Sequence, residues 1–298
     1  MNGTRYRVRH TTIYEYDDDV TDSYGLAHIT PRSLPWQFVT DHRVETDPGA
    51  ADQRTSEDHF GNTATYFQVD EDHRRLRIEA RSEVHVLTAP RDATADGQSW
   101  ERCRPTERGD VADAWQAVEF ALPSDLVPFH ERARDYAKVS LTPGRSIVEA
   151  SVELMRRVHA DFAYKQGATT VSSTIDDLFE TQAGVCQDFA HLTLACLRAH
   201  GLAARYVSGY LATDPPPGKP RVVGADASHA WLAVWVPGGG WLALDPTNDQ
   251  LAGEKYVTVA WGRDYADVPP VKGVIFSEAS SSTLDVEVDV EPVADTAL

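Results

Sequence analysis

Three side chains in the second half of the chain are of the types that can cleave or exchange an amide bond. Cys186 follows a Gly-Val pair at the predicted start of a helix, and His229 and Asp245 lie on two predicted strands. A thiolate is a nucleophile, a histidine can take the thiol proton, and a carboxylate can orient the imidazole. If the fold brings the three together, they predict acyl transfer through a thioester.

The helix behind Cys186 is predicted from its apolar spacing. Phe189, Leu192 and Cys196 recur at i, i+3 and i+7, as on a helix with one buried face. Gly201 ends the pattern where a left-handed residue is favoured. Unpaired backbone N–H groups and the positive end of the helix dipole both favour a thiolate at the helix start. The alternative is that Cys186 is a small buried hydrophobic residue, as most cysteines are.

Two alternating runs downstream predict a β-hairpin. SHAWLAVWV and WLALDPTND are separated by a turn sequence rich in glycine. An odd number of loop residues pairs Trp235 with Trp241, and His229 then meets Asp245 on the diagonal, within hydrogen-bonding reach. An even number would turn the two side chains to opposite faces of the sheet. The proposed triad therefore depends on this register.

The sequences around these residues resemble the three blocks of the transglutaminase-like superfamily. GVCQDFAHL contains Cys186, SHAWLAVW contains His229 and WLALDPTND contains Asp245, and their order matches the papain-like triad of that family. The opening YRVRHTTIYEY, followed by GLAHITPR and DHFGN, further resembles the N-terminal β domain of the bacterial and archaeal transglutaminase-like cysteine protease family. The resemblance implies a helix bearing the cysteine packed on an antiparallel sheet. It leaves the substrate open, because the superfamily includes transamidases, proteases, amidases and inactive relatives.

The whole chain is predicted to be α+β. Residues 1–90 alternate in short runs between Asp-rich, Pro-Gly and Gly-Asn turns, which predicts an antiparallel β-sandwich domain. Residues 91–144 are predicted as a connector with short helices, and residues 145–298 as the catalytic core. Within the core, an amphipathic helix is predicted over Ser146–Tyr164 and a capped helix over Thr174–Phe179. The late run TLDVEVDVEPV is predicted as a last strand with an acidic outer face.

Composition and charge argue against several partners. The chain has 298 residues and a formal net charge of −18, which disfavours nucleic acid and anionic membranes. No signal peptide is recognisable, and no apolar run approaches the ~20 residues that span a bilayer. The three cysteines lack CxxC spacing, which disfavours a disulfide framework or a zinc site built from them. We therefore predict a cytoplasmic enzyme without metal or cofactor, whose partner is a peptide or protein amide.

Three further residues are candidates for substrate binding. The backbone N–H of Cys186 is the natural first donor to an oxyanion, and Gln182 and Tyr164 are candidates for a second donor. A glutamine in such a loop is more often simply solvated. Trp231 shares a strand face with His229 and could wall the pocket and exclude water, although an ordinary core tryptophan is the alternative.

Two other readings of the same residues stay open at this point. The protein could be a catalytically vestigial protein-binding module of the same fold, although its intact Cys, His and Asp count against that. Cys186, His229 and Asp245 are also all residue types that bind zinc. Asp188 adds an uncertainty, since it favours the helix dipole but brings a negative charge near the sulfur.

Overall fold

The computed structural model describes residues 3–167, 173–213 and 228–293. The strands in this part of the chain are β1 (Thr4–Ala27), β2 (Gln37–Asp47), β3 (Asp52–Glu57), β4 (Thr63–Val69), β5 (His73–Val86), β6 (Ala163–Tyr164), β7 (Ala183–Gly184), β8 (Ala204–Leu211), β9 (Ser228–Val236), β10 (Gly240–Asp245), β11 (Gln250–Leu251), β12 (Tyr256–Gly262), β13 (Val271–Ser277) and β14 (Ser282–Val293). The α-helices are α1 (Ala114–Val118), α2 (Glu131–Ala137), α3 (Ile147–Asp161), α4 (Ile175–Thr181) and α5 (Cys186–Arg198). Short 3-10 turns fill part of the connector between β5 and α3.

The N-terminal sheet is organised around the long strand β1. Its first half pairs antiparallel with β5 and its second half with β4, while β2 and β3 continue the sheet outward. Apolar residues from both halves, including Phe67 on β4 and Ile78 on β5, share one buried cluster. The antiparallel strands predicted for the β-sandwich domain are confirmed. They pair in one seven-stranded sheet, which also includes β13 and β14.

The last two strands, β13 and β14, belong to this sheet and not to the catalytic core. They pair with the free side of β1, from Ala27 opposite Val271 to Arg5 opposite Val293. The sequence predicts both strands as part of the core, residues 145–298, whereas the structure pairs them with β1. Alternation identifies a strand but not its partner, so the sequence could not reveal that the far end of the chain returns to its beginning.

The core is a five-stranded antiparallel sheet in the order β11-β10-β9-β8-β12, with α5 packed on one face. The two helices predicted before Cys186 are confirmed as α3 and α4, and Thr174 with Asp177 forms the expected capping box of α4. Every residue of α5 after Cys186 is buried. The helix is thus fixed in the core, and its first residue is the one that reaches the surface.

Among the helices of the described ranges, none is long and apolar enough to cross a bilayer.

Candidate active site

Cys186 is the first residue of α5 and is partly exposed. The helix start is fixed by Asp188, whose carboxylate accepts a hydrogen bond from the backbone N–H of Val185 at 2.8 Å. A side chain on Gly184 would lie 2.8 Å from that carboxylate, so the approach requires glycine. Asp188 therefore caps its own helix, which accounts for an acidic residue so close to the thiol.

The hairpin that carries the other two residues has the predicted register. Trp235 lies opposite Trp241, and Val236 opposite Gly240, across a three-residue turn. This register turns His229 and Asp245 to the same side. Their side chains meet, with His229 Nε2 2.7 Å from Asp245 Oδ2. The prediction that the odd-membered turn joins these two side chains is confirmed.

Asp245 is completely buried and is surrounded by donors. Its Oδ1 accepts the backbone N–H groups of Thr247 at 2.9 Å and Asn248 at 3.2 Å. Its Oδ2 accepts the Asn248 side-chain amide at 2.7 Å and the Tyr256 hydroxyl at 2.6 Å, in addition to His229. Burial raises the pKa of this carboxyl, but the hydrogen bonds and the charge of His229 lower it by more. The group is therefore held as a carboxylate.

His229 connects the carboxylate to the thiol. Burial lowers the pKa of its imidazole, but hydrogen bonds to Asp245 and Cys186 and the charges of both raise it to about 9. Because Nε2 is bonded to Asp245, the other ring nitrogen, Nδ1, is left to serve the thiol. The surroundings thus favour an imidazolium at neutral pH, placed next to the sulfur of Cys186.

These groups open into a cavity of about 230 Å³. Its floor comes from the core, and its opposite wall comes from the N-terminal sheet through strands β1 and β14. The wall residue His10 is neutral, because burial lowers the pKa of its ring to about 4. Because its lining comes from both sheets, the cleft exists only where the two sheets meet. The side chains that line it include His10, Thr12, Tyr14, Cys186, Gln187, Tyr206, Ser208, His229, Tyr265, Leu284 and Val286.

The three predicted substrate-binding residues lie outside the lining of this cavity. Gln182 ends α4 in a left-handed conformation, with φ of 50°, and is exposed to solvent. It therefore corresponds to the solvated alternative. Tyr164 is 52% exposed and pairs with Gly184 through β6 and β7. Burial, and then the charge of Cys186, raise the pKa of Tyr164, so it lies near the thiol but beside the cleft.

Trp231 lies behind His229 rather than in the cleft. It is 1% exposed, and its ring stacks on the imidazole with a centroid distance of 6.0 Å and an angle of 28°. The ring extends over Gly209, where a Cβ would come within 2.5 Å of it. Trp231 thus supports the imidazole from the buried side, and the pocket-wall prediction for it is not met.

Sequence reasoning did not find several residues of the site. Tyr256 and Asn248 bind the carboxylate of Asp245, and the Tyr256 hydroxyl in turn accepts from Gln250 Nε2 at 2.5 Å. Asn248 lies within the recognisable DPTND segment, so its proximity to Asp245 was available as a signal. Tyr256 and Tyr206 come from strands whose alternation gives no hint of their neighbours.

The same geometry bears on the alternative that Cys186, His229 and Asp245 bind zinc. Asp245 directs both carboxylate oxygens at protein donors. Across the ranges that the structure describes, no group of three or more His, Cys, Asp and Glu side chains is placed to hold a metal ion.

The class of protein follows from comparison with known families. The family described as the bacterial transglutaminase-like N-terminal region matches residues 6–85, and the transglutaminase-like superfamily matches residues 134–246. The second match contains Cys186, His229 and Asp245. The chain belongs to the transglutaminase-like superfamily, and the resemblance found in the sequence is confirmed.

Individual relatives extend over most of the chain. An uncharacterised Mycobacterium tuberculosis protein is 47% identical, over 100% of this chain and 96% of its own length. A protein-glutamine gamma-glutamyltransferase of Pseudomonas aeruginosa is 30% identical over 76% of this chain, which corresponds to 30% of that protein. A crystal structure from Cytophaga hutchinsonii, provisionally described as a cysteine protease, covers 100% of this chain and 93% of its own with a TM-score of 0.76. At 19% identity, that likeness establishes the fold alone.

Proposed function

We propose that the protein is a cysteine-dependent acyl-transfer enzyme that acts on amide or peptide carbonyls. The observation that carries the proposal is the position of His229, which contacts both the thiol of Cys186 and a fully buried, ionised Asp245. A nucleophile, a base and the group that orients the base are thus joined beside an open cleft. An arrangement this complete argues against a vestigial site.

The reaction proceeds in two halves. The Cys186 thiolate attacks the carbonyl carbon, a C–S bond forms, and the carbonyl oxygen becomes an oxyanion. The C–N bond then breaks, the leaving amine takes the proton of the His229 imidazolium, and a thioester remains. In the second half an acceptor attacks the thioester, His229 takes the acceptor's proton, and the C–S bond breaks to restore the thiolate.

The oxyanion needs donors that are already in place. The backbone N–H of Cys186 lies in the first turn of α5, where backbone donors have no partner within the helix. Tyr206 is the better candidate for a side-chain donor than Gln182, because it lines the cleft. Burial, and then the charge of Cys186, raise the pKa of its hydroxyl, which keeps it protonated and able to donate.

The acceptor decides between hydrolysis and transamidation. The Pseudomonas aeruginosa relative is named a glutamyltransferase and the Cytophaga hutchinsonii protein a provisional protease, and both chemistries pass through the same thioester. The proposal therefore commits to the shared first half. The preferred substrate class is a peptide or protein amide, without nucleic acid or membrane as a partner.

The first half can be tested by following turnover of amide substrates. Glutamine-containing peptides and casein are incubated with the protein, with and without a labelled primary amine, and products are read by mass spectrometry. We expect release of ammonia or peptide cleavage with wild type and none with Cys186→Ala. Cys196→Ala is the matched control, because it removes a thiol from the same helix at a fully buried position. Equal turnover by wild type and Cys186→Ala would exclude the mechanism.

Cytoplasmic location is a separate proposal. Cys103, Cys186 and Cys196 are all free thiols, and a reducing compartment preserves a catalytic thiol. Fractionation of expressing cells into cytoplasmic and exported protein tests it, and recovery in the exported fraction would contradict it.

A further inference from the structure

A second cavity lies on the face of the core sheet that is turned away from α5. Its volume is about 50 Å³, and its walls are strongly aromatic. Ala89 and Gly253, which are exposed and partly exposed, mark the side on which it approaches the surface. No candidate residue of the sequence analysis other than Trp231 belongs to it. The aromatic side chains of its wall are Trp36, Trp231, Trp241, Tyr256 and Trp261.

Arg205 is the charged residue among those that line this cavity. This residue is 7% exposed, and its guanidinium carbon lies 4.2 Å from the ring centre of Trp241 and 3.6 Å from that of Trp261. Its Nε is buried without a hydrogen-bond partner. Within the three described ranges it has no ion pair either. Arg32 also lies 3.6 Å from the Trp261 ring, so two cations share one indole and neither compensates the other.

Another deeply buried arginine, Arg198, has hydrogen-bond acceptors around its guanidinium. Arg198 donates to the backbone carbonyls of Phe120 and Ala204 at 3.0 and 2.8 Å, and to the Ser124 hydroxyl at 3.2 Å. A guanidinium carries five N–H donors, and leaving them unmatched in an apolar site is costly. Cation–π contacts offset part of the charge but accept none of these donors in the way an oxygen does. Arg205 is therefore a buried cation whose Nε has no acceptor among the described residues.

We propose that this cavity binds a small carboxylate, with Arg205 as its counter-ion. The planar fork of a guanidinium matches the two oxygens of a carboxylate. The cavity has room for a group of acetate size, and its tryptophan walls suit a short alkyl part. A phosphate is larger and would need more polar donors than this aromatic lining offers.

The site would lie directly beside the candidate triad. Tyr256 forms part of its wall and donates to Asp245, and Trp231 forms another part and stacks on His229. An occupant would thus contact the side chains that hold the acid and the imidazole in place. The proposal does not depend on the acyl-transfer reaction, because binding can be measured on its own.

Binding can be tested by titrating the full chain with sodium acetate, with sodium chloride adjusted to keep the ionic strength constant. Melting temperature and tryptophan fluorescence are both followed. We expect a saturable change in fluorescence and a rise in Tm of about 2–4 °C at ten times the dissociation constant. Acetamide, which has the same shape without the charge, should give neither. Equal responses to acetate, chloride and acetamide would overturn the proposal.

Variants locate the response and identify the source of the carboxylate. Arg205→Met should abolish it, whereas Arg54→Met, which removes a charge from a side chain that is 77% exposed, should keep it. If Arg205→Met does not fold, Arg205→Lys replaces it and should weaken acetate binding about tenfold, since the fork is lost. An unchanged affinity in Arg205→Lys would overturn the assignment. If hexanoate competes with acetate, the cavity accepts a carboxylate at the end of an alkyl chain. If hexanoate does not compete, the ligand is a small free carboxylate.

Discussion

Helix α5 carries two cysteines in opposite surroundings. Cys186 is at its first residue, partly exposed, next to His229 and at the positive end of the helix. Cys196 lies in the last turns of the same helix, is 0% exposed, and has its pKa raised by burial. The two residues share chemistry and backbone conformation, so position alone separates a candidate nucleophile from a packing residue. The reactivity of a thiol here is a property of the helix end and its neighbours.

The largest effect expected from this comparison is in thiol labelling. Iodoacetamide at pH 7 should modify Cys186 on the order of 10³-fold faster than Cys196, because a thiolate reacts and a buried thiol does not ionise. Cys103 is an internal reference, since burial raises the pKa of its thiol to about 11. Peptide mapping after short exposures gives the three rates. Similar rates for Cys186 and Cys196 would remove the distinction between the two ends of the helix.

The second effect concerns the carboxylate behind the base. Asp245→Asn keeps the volume and one acceptor but favours the wrong imidazole tautomer. In a serine triad the equivalent change costs on the order of 10⁴-fold. We expect a smaller loss of kcat here, of about 10²-fold, because a cysteine depends less on its base. Steady-state kinetics with a melting curve measure it, and a variant as inactive as Cys186→Ala with an unchanged Tm would contradict this ranking.

A smaller effect is expected from the tyrosine that holds the carboxylate. Tyr256→Phe removes one of several donors to Asp245 and should lower kcat about fivefold, since one neutral donor contributes roughly 1 kcal/mol. Tyr210→Phe is the matched control, because its hydroxyl bonds to His10 at 3.1 Å and not to the triad. Rates are compared at pH 7 on one amide substrate. Equal losses in the two variants would show that Tyr256 has no special role.

The smallest expected effect is on how the stability of the folded protein changes with pH. The pKa of His229 is raised to about 9, so the folded protein holds this proton more tightly than the unfolded chain, where the ordinary value near 6.5 applies. Its stabilising contribution is full below pH ~6.5 and is lost as pH rises through about 9. The Tm difference between wild type and His229→Gln should therefore shrink by about 5 °C between pH 6 and 9.5. A constant difference over that range would contradict the raised pKa.

The sequence was informative where contacts are local. The start of α5 follows from the spacing of Phe189 and Leu192 behind Cys186, and the meeting of His229 with Asp245 follows from one three-residue turn. Both depend only on helical or strand periodicity over a short stretch of chain. These features predicted the fold of the core and the position of its central residues.

The rest depends on pairings between distant segments. Nothing in the alternation of β14 indicates that it lies beside β1, so the cleft wall containing Thr12 and Val286 could not be predicted. The position of Gln182 four residues before Cys186 predicts a donor to the oxyanion, but its side chain is exposed and lies outside the lining of the cleft. The shared strand face correctly predicts that Trp231 is a neighbour of His229. It does not predict that the indole lies on the buried side of the imidazole.

The pairing of β1 with β14 also sets an order of events during synthesis. Thr12 and Val286 lie opposite each other and both line the cleft, although Val286 is synthesised long after Thr12. A ribosome-bound chain that already contains Cys186, His229 and Asp245 but not yet β14 still lacks part of one wall of the candidate cleft. Such long-range pairings also form late because of their loop-closure entropy. We expect chains stalled at residue 280 to expose the thiol to iodoacetamide without turning over an amide, so that activity begins only after β14 has been made.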